Sequence, residues 1–275
     1  MTQPTALIDL HMHTNCSDGM WSVERLLAEV AERKLDFFSI SDHDGLEAYP
    51  LPDTVAARNI PALEVDSHHG GHTAHLLAYG IADKASPLLL ALAGQRAART
   101  ERMASMVAAL RAKGAEISMD DVRAQASGTA GLGRPHLARA LVTRRIVATV
   151  QEAFDRYLAD EGPAYVALER LTSADAVRLI HESGGVAVVA HPQRLRSATA
   201  LDDLIDLGVD GIEVVHPTAD GEMRRRLTDK AREHGLLITG GTDFHAPVED
   251  RPIGVPFPRS DVERLLEAIA QRVVQ

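Results

Sequence analysis

The chain has 275 residues, 45% hydrophobic and 25% charged, with a formal net charge of −10 and a single cysteine. That length accommodates one large barrel or one domain carrying an insertion, and the composition is ordinary for a globular protein. The acidic balance argues against a surface for long nucleic acid, no apolar run nears the roughly 20 residues that span a bilayer, and Cys16 alone excludes an internal disulfide. A strand begins almost at once, with no basic and apolar leader before it, so the chain reads as cytoplasmic, with no membrane partner.

Residues 6–13 read as a strand whose period of two places Asp9, His11 and His13 on one face. Ser22 can cap a helix in which Val23, Leu26, Leu27 and Val30 recur at helical spacing. Residues 37–41 form a buried strand that runs into the polar turn Ser41-Asp42-His43-Asp44. Residues 62–65 and 75–79 are further strands, carrying Glu64 and His75. From 86 to 167 the text turns Ala-, Arg- and Leu-rich and helical, with helices over 88–113, from Ser118, over 134–143 and over 150–157. Strands at 186–190, 211–215 and 236–239 then alternate with helices at 174–182, 201–207 and 222–234. Such alternation predicts a parallel α/β sheet, open or closed into a barrel, built from 1–85 and 168–275, with a small all-α insertion at 86–167.

Nearly every histidine–carboxylate cluster lies at or just past the C-terminal end of its strand, where α/β barrels carry their chemistry. These are Asp9-Leu10-His11-Met12-His13 with Asp18, then His43, Glu64, His75, Ala190-His191-Pro192, His216 and Thr242-Asp243-Phe244-His245. A mixed set of imidazoles and carboxylates suits Zn, Mn or Fe and supplies ligands for more than one ion. Asp9 and Asp42 read as acceptors that orient imidazoles. His68, His69 and His72 read as a surface loop, His181 and His234 as structural, and Cys16 as a small loop residue. Between 85 and 145, ten Lys/Arg face four acids, so this segment is +6 and the remainder −16. A basic insert beside an acidic body points to help in holding an anion. Neither a Gly-x-x-x-x-Gly-Lys loop nor a Gly-x-Ser-x-Gly turn is present.

Asp-Leu-His-Met-His-Thr…Ser-Asp-Gly, Ser-Asp-His-Asp, Leu-Glu-Val, Ala-His-Pro and Thr-Asp-Phe-His together resemble the ordered motifs of the PHP (polymerase and histidinol phosphatase) family. Gly133-Arg134-Pro135-His136-Leu137-Ala138-Arg139, within a helical insert, is similar to stand-alone members that act on nucleotides. The resemblance implies a distorted (β/α)7 barrel and metal-dependent phosphoester hydrolysis. It implies two to three divalent ions (Mn, Fe or Zn), three making a trinuclear site. His11, His13, Glu64 and Asp243 would bind one ion. Glu64 would bridge to a second held by His75 and His191; Asp18, His43 and His245 would hold the third. A hydroxide held between cations would attack phosphorus.

Arg134 could contact a phosphate in two-pronged fashion. His136 would either touch substrate or cap its helix, His216 would contact phosphate or protonate the leaving group, and Arg194 would add an anion contact. The expected substrates are small nucleotidic phosphates, such as 3′,5′-bisphosphonucleotides or the 5′ ends of short RNA. Histidinol-phosphate hydrolysis and a non-catalytic metal-binding module are the alternatives. The chain departs from the family pattern in Pro50, Pro52 and Pro61, in lacking a glycine before Glu64, and in its histidine-rich 67–73 stretch. Oligomeric state is left open.

Overall fold

The structure is a computed structural model that describes residues 4–126, 132–159, 162–167, 170–197, 199–247 and 252–273. The first half of the fold contains β1 (Thr5–Asp9), α1 (Val23–Arg33), β2 (Phe37–Phe38), β3 (Arg58–Asn59), β4 (Ala62–His69) and β5 (His72–Tyr79). The insertion carries α2 (Pro87–Ala112), α3 (Met119–Arg123), α4 (Arg134–Thr143) and α5 (Val150–Ala153), the last followed by a π-turn at Phe154–Leu158. The return comprises β6 (Leu171–Thr172), α6 (Ser173–Glu182), β7 (Val186–Val189), α7 (Ala200–Asp206), β8 (Gly211–Val215), α8 (Gly221–Glu233), β9 (Leu237–Gly240), β10 (Val255–Pro258) and α9 (Arg259–Val273).

Two sheets, β10-β1-β2-β3 and β6-β4-β5-β7-β8-β9, share strand extensions that close a ring. Past β2, His43 bridges to Glu64 of β4; past β1, Leu10 donates to Gly240 of β9 and Met12 bridges to Phe244. The circuit β1-β2-β4-β5-β7-β8-β9-β1 is a seven-stranded barrel. It is not all parallel, as the alternation alone predicts, because β4 and β5 are joined by only Gly70-Gly71 and must run antiparallel. Both glycines have positive φ, 55° and 81°, as a two-residue hairpin turn demands. The histidine-rich 67–73 stretch is therefore a hairpin rather than a loop, with His69 opposite His72. The compressed, proline-bearing stretch between His43 and Glu64 holds turns and β3 in place of a helix.

Helix α1 begins as predicted, with the Ser22 side chain accepting from the Arg25 N–H, and it buries Leu26, Leu27 and Val30. Helix α2 serves two cores. Leu88, Leu89 and Leu92 pack with β4, β5, β7 and α6, whereas Met103, Met106, Val107 and Leu110 pack with α3, α4 and α5. The predicted boundary at residue 86 is thus the N-cap of a helix whose first turns belong to the barrel. The other predicted boundary, at 168, lies outside the described residues. Among the described residues, no helix is long and apolar enough to cross a membrane.

Candidate metal centre

The strand extensions deliver the site. Period two sends His11 and His13 to the same side as the chain leaves β1, and both are fully buried. Gly241 lets the β9 extension lie against them: a Cβ there would sit 2.5 Å from His11 Cβ. Glu64 is the hub. Its Oε2 lies 3.3 Å from His11 Nε2, 3.2 Å from His13 Nε2 and 3.4 Å from His43 Nδ1. Its Oε1 lies 2.9 Å from His75 Nδ1 and 3.0 Å from His191 Nε2. Asp243 Oδ1 is 3.4 Å from both His11 Nε2 and His13 Nε2 and 3.5 Å from His245 Nδ1. Asp18 Oδ1 is 3.2 Å from His245 Nε2 and 3.9 Å from His13 Nδ1 and His43 Nε2. Among the described residues, three groups have donor atoms close enough to share an ion. They are His11/His13/Glu64/Asp243, His43/Glu64/His75, and His13/Asp18/His43/His245. Eight of the nine expected ligands fall in these groups, and His13 faces two of them through its two ring nitrogens. The ninth, His191, meets Glu64 Oε1 but lies in none, and His43 joins Glu64 and His75 where His191 was expected.

Two observations test whether the site suits cations. Buried polar atoms normally have partners, yet His11 Nε2, both nitrogens of His13, Asp18 Oδ1 and His43 Nδ1 have no hydrogen-bond partner. They converge on the same three groups and form a donor set of imidazole nitrogen and carboxylate oxygen. Backbone strain is concentrated here too. Among the described residues, Asp44, His191 and Asp243 are three of only five non-glycine residues with positive φ, at 53°, 29° and 52°. The residues present fit a polynuclear divalent-metal centre.

The electrostatics are those of a packed imidazole–carboxylate lattice. Burial opposes charge on His13, but Asp243 and Glu64 outweigh it and push its pKa up to about 10. Burial likewise opposes charge on His75, where Glu64 and Asp66 raise it to about 10. His11 is also raised, Glu213, Glu64 and Asp243 overcoming its burial. Glu64 and Asp243 are held well below the usual carboxylate range, the imidazoles prevailing over burial. His43 behaves oppositely: burial drives it down to about 4.

Asp9 and Asp42 do not orient imidazoles. Asp9 accepts from Thr242 N (2.9 Å), Thr242 Oγ1 (2.7 Å) and Gly254 N (2.9 Å), tying the β9 extension and β10 to β1. Asp42 accepts from Thr14 N, Thr14 Oγ1 and Ser17 Oγ at 2.6–2.8 Å, fixing the loop that carries Asp18. Glu213 does orient an imidazole, with Oε1 2.9 Å from His11 Nδ1 while Oε2 accepts from the His191 N–H at 2.6 Å. Asp66 Oδ1 lies 2.7 Å from His75 Nε2. Both were missed. For Glu213 the available signal was an acid amid the buried apolar run of Gly211-Ile-Glu-Val-Val.

A cleft of about 660 Å³ opens beside His75 and His191 and is lined by Arg134, Arg170, Arg194 and Arg196 together with Tyr165 and His72. Arg134 donates to Leu158 O at 3.0 Å, with Phe154 and Tyr165 rings beneath its guanidinium. Arg102 stands beside it over Tyr165, and its buried Nη2 has no hydrogen-bond partner. Burial, then the charges of Arg134 and Arg170, lower Arg102 to about 10. Arg194 is half-exposed and pairs with Asp243 Oδ2 at 2.7 Å. His216 is buried and accepts at Nδ1 from Thr218 N (3.1 Å). Its proton is therefore on Nε2, 3.5 Å from Asp243 Oδ2.

His136 does not reach the cleft. It is buried, its Nδ1 accepts from Gly133 N at 3.0 Å to cap α4, and it hydrogen-bonds the Ser17 backbone. The expected substrate contact is replaced by docking of the insertion on the Asp18 loop, where Arg139 also donates to Asp18 O at 3.3 Å. Gln95, Arg96 and Arg99, within the basic segment, turn into the barrel, where the Asp44 and Asp66 carboxylates take up Arg99 in place of a substrate anion.

No protein-family profile matches the chain. It is 34% identical over 254 residues, 89% of each sequence, to a 3′,5′-nucleoside bisphosphate phosphatase of Chromobacterium violaceum. It is 32% identical, over 90% of this chain and 87% of the relative, to the 5′-3′ exoribonuclease Rnm of Salmonella typhimurium. Its fold superposes with a TM-score of 0.86 on a chain of Bifidobacterium adolescentis assigned as a metal-dependent phosphoesterase. Identity there is 30%, with 97% of this chain and 98% of that one covered.

Proposed function

Because the chain belongs to the PHP-like metal-dependent phosphoesterases, hydrolases that act on phosphate esters, we propose that its substrates are 3′,5′-bisphosphonucleotides or the 5′ ends of short RNA. The reading rests on one juxtaposition: a Glu64-centred cluster with unpartnered imidazole nitrogens borders a cleft lined by arginines. It draws further on what the two curated relatives hydrolyse.

Three cation positions, one per donor group, would be filled by Mn, Fe or Zn, with Glu64 shared between two of them. Bound cations supply Lewis-acid polarisation of phosphoryl oxygens and acidify water. The protein's own groups do the rest. Arg134 is held by Leu158 O and two aromatic faces, so its fork is fixed before a phosphate arrives and little ordering is lost on binding. Arg102, with its bare Nη2, stands beside Arg134 and Arg170, whose charges disfavour its own; a second phosphate on the substrate fits that place. Arg194 sits at the cleft edge and can neutralise non-bridging oxygens as charge develops. His216 presents Nε2–H toward the Asp243 side, where, as a neutral ring, it can donate a hydrogen bond to the departing oxygen as charge develops there. A substrate with one phosphate at the metal centre and another among the arginines uses both halves of the site.

The test is product analysis after EDTA stripping and Mn²⁺ restoration. The panel holds 3′,5′-bisphosphoadenosine, short 5′-phosphorylated RNA, histidinol phosphate and a generic phosphate ester. Metal-dependent turnover of the nucleotides over the other esters is expected. Preferential turnover of histidinol phosphate would overturn the substrate reading, and no turnover with any metal would overturn the assignment of hydrolysis to this site.

A further inference from the structure

Helix α2 reaches the metal cluster through a chain of buried groups that the hydrolytic scheme leaves unused. Asp44, immediately after His43, is fully buried in a left-handed backbone conformation. Its carboxylate accepts from Asp66 N (2.9 Å) and Gln95 Nε2 (2.9 Å), and it pairs with Arg99 Nη2 at 2.6 Å. The same Arg99 nitrogen lies 2.6 Å from Asp66 Oδ2, with Arg170 Nε on that oxygen at 3.3 Å. Gln95 completes the clamp by donating to Asp66 O (2.8 Å) and accepting from Leu171 N (2.8 Å). The free oxygen of Asp66, Oδ1, is 2.7 Å from His75 Nε2. Every hydrogen-bonding direction of Asp66 is therefore fixed by groups that face away from the cluster, except the one that meets His75.

His75 lies between two carboxylates that differ in kind. Glu64, at Nδ1, is shared by five imidazoles and lies within two of the donor groups. Asp66, at Nε2, is committed to Arg99 and Arg170 and lies in none of those groups. We infer that Asp66, clamped by Arg99, is a positioning residue for His75. It keeps the imidazole proton on Nε2 and turns Nδ1 to the cation position shared by His43 and Glu64. His11 is oriented the opposite way round, with Glu213 on Nδ1 and Nε2 toward Glu64. A metal-binding imidazole is generally fixed by what its other nitrogen donates to. The first helix of the insertion would thereby set the affinity of one cation position, independently of substrate. The inference rests on the reading that His75 binds a cation.

The test uses the whole wild-type protein, stripped and reloaded with cadmium as an NMR-active probe, with labelled histidine. Cadmium coupling to His75 Nδ1, with Nε2 still protonated, is expected. Coupling to Nε2 overturns the positioning role while leaving His75 a ligand; no coupling to His75 overturns the ligand reading and the inference with it. An Asp66→Asn variant supplies the energetic arm. Its affinity for one cation equivalent should fall about 10–100-fold, with the fold of the stripped protein unchanged by circular dichroism. Affinity within threefold of wild type in the folded variant would overturn the inference.

Discussion

The barrel mouth and the insertion bury opposite charges, and they differ in how completely those charges are partnered. At the mouth, carboxylates and imidazoles converge with five ring or carboxylate atoms lacking any hydrogen bond. In the insertion the buried charges are arginines. Arg99 is fully occupied by Asp44 and Asp66, whereas Arg102 keeps a bare Nη2 beside Arg134 and Arg170. Satisfied groups such as Arg99, Asp9 and Asp42 fix backbone. Unsatisfied ones cluster where a ligand of opposite charge would settle them, cations at the mouth and phosphate in the cleft. Accounting for partners, and not residue type, separates the two roles.

The largest effect should come from breaking the mouth. Asp243→Asn should lower kcat/KM for a bisphosphonucleotide by more than the roughly 10–100-fold that loss of an outer partner costs. Bound metal should fall in parallel, by elemental analysis. His216→Ala should lower kcat about 100-fold with metal content intact; an unchanged kcat in steady-state assays would remove it as a hydrogen-bond donor to the departing oxygen. Arg134→Ala tests the other region. It should raise KM about 10–100-fold, as expected for about 1.5–3 kcal/mol from a hydrogen bond to a charged group, with metal stoichiometry unchanged.

A finer effect sharpens the charge comparison. His11, His13 and His75 have raised pKa values in the metal-free protein, so each must lose a proton before it can bind a cation. Calorimetry in buffers of different ionisation enthalpy should register proton release on metal binding at neutral pH, and affinity should climb with pH. The same groups stabilise the stripped protein most below their unfolded pKa of about 6.5, and for His13 and His75 that contribution is lost as pH rises through about 10. The smallest effect on activity should follow Asp210→Ala, far from both regions. Asp210 accepts from Ala187 N at 2.8 Å and pairs with His181 and Arg272. Its loss should cost about 1–3 kcal/mol of stability in denaturant titrations and leave kcat/KM unchanged.

Much of this was legible in the chain. Helices α1, α2, α4, α6 and α8 follow from apolar spacing and the run of alternating elements, and α1 also from its cap at Ser22. Histidines and acids at strand ends are conspicuous because a buried strand has no other use for them. The missed elements failed for identifiable reasons. β10 reads Val-Pro-Phe-Pro, a composition that argues against a strand, yet as an edge partner of β1 it tolerates proline. Glu213 and Asp66 read as single acids within strands, and nothing local marks which imidazole each will meet.

The division follows from what is local. The sequence by itself determined the strand–helix alternation, the α-helical insertion and the imidazole–carboxylate character of the centre, because periodicity, caps and ligand chemistry are written within a few residues. Tertiary structure alone decided that five imidazoles would meet on Glu64, which the family resemblance had given only as a bridge, that β4 and β5 would be antiparallel in an otherwise largely parallel ring, and that His136 would hold the Asp18 loop. It also turned Arg96 and Arg99 of the basic segment inward. Those outcomes depend on contacts such as His11–Glu213 and Asp44–Arg99, where chain segments far apart in sequence meet in a low-dielectric interior and each buried charge must find its partner.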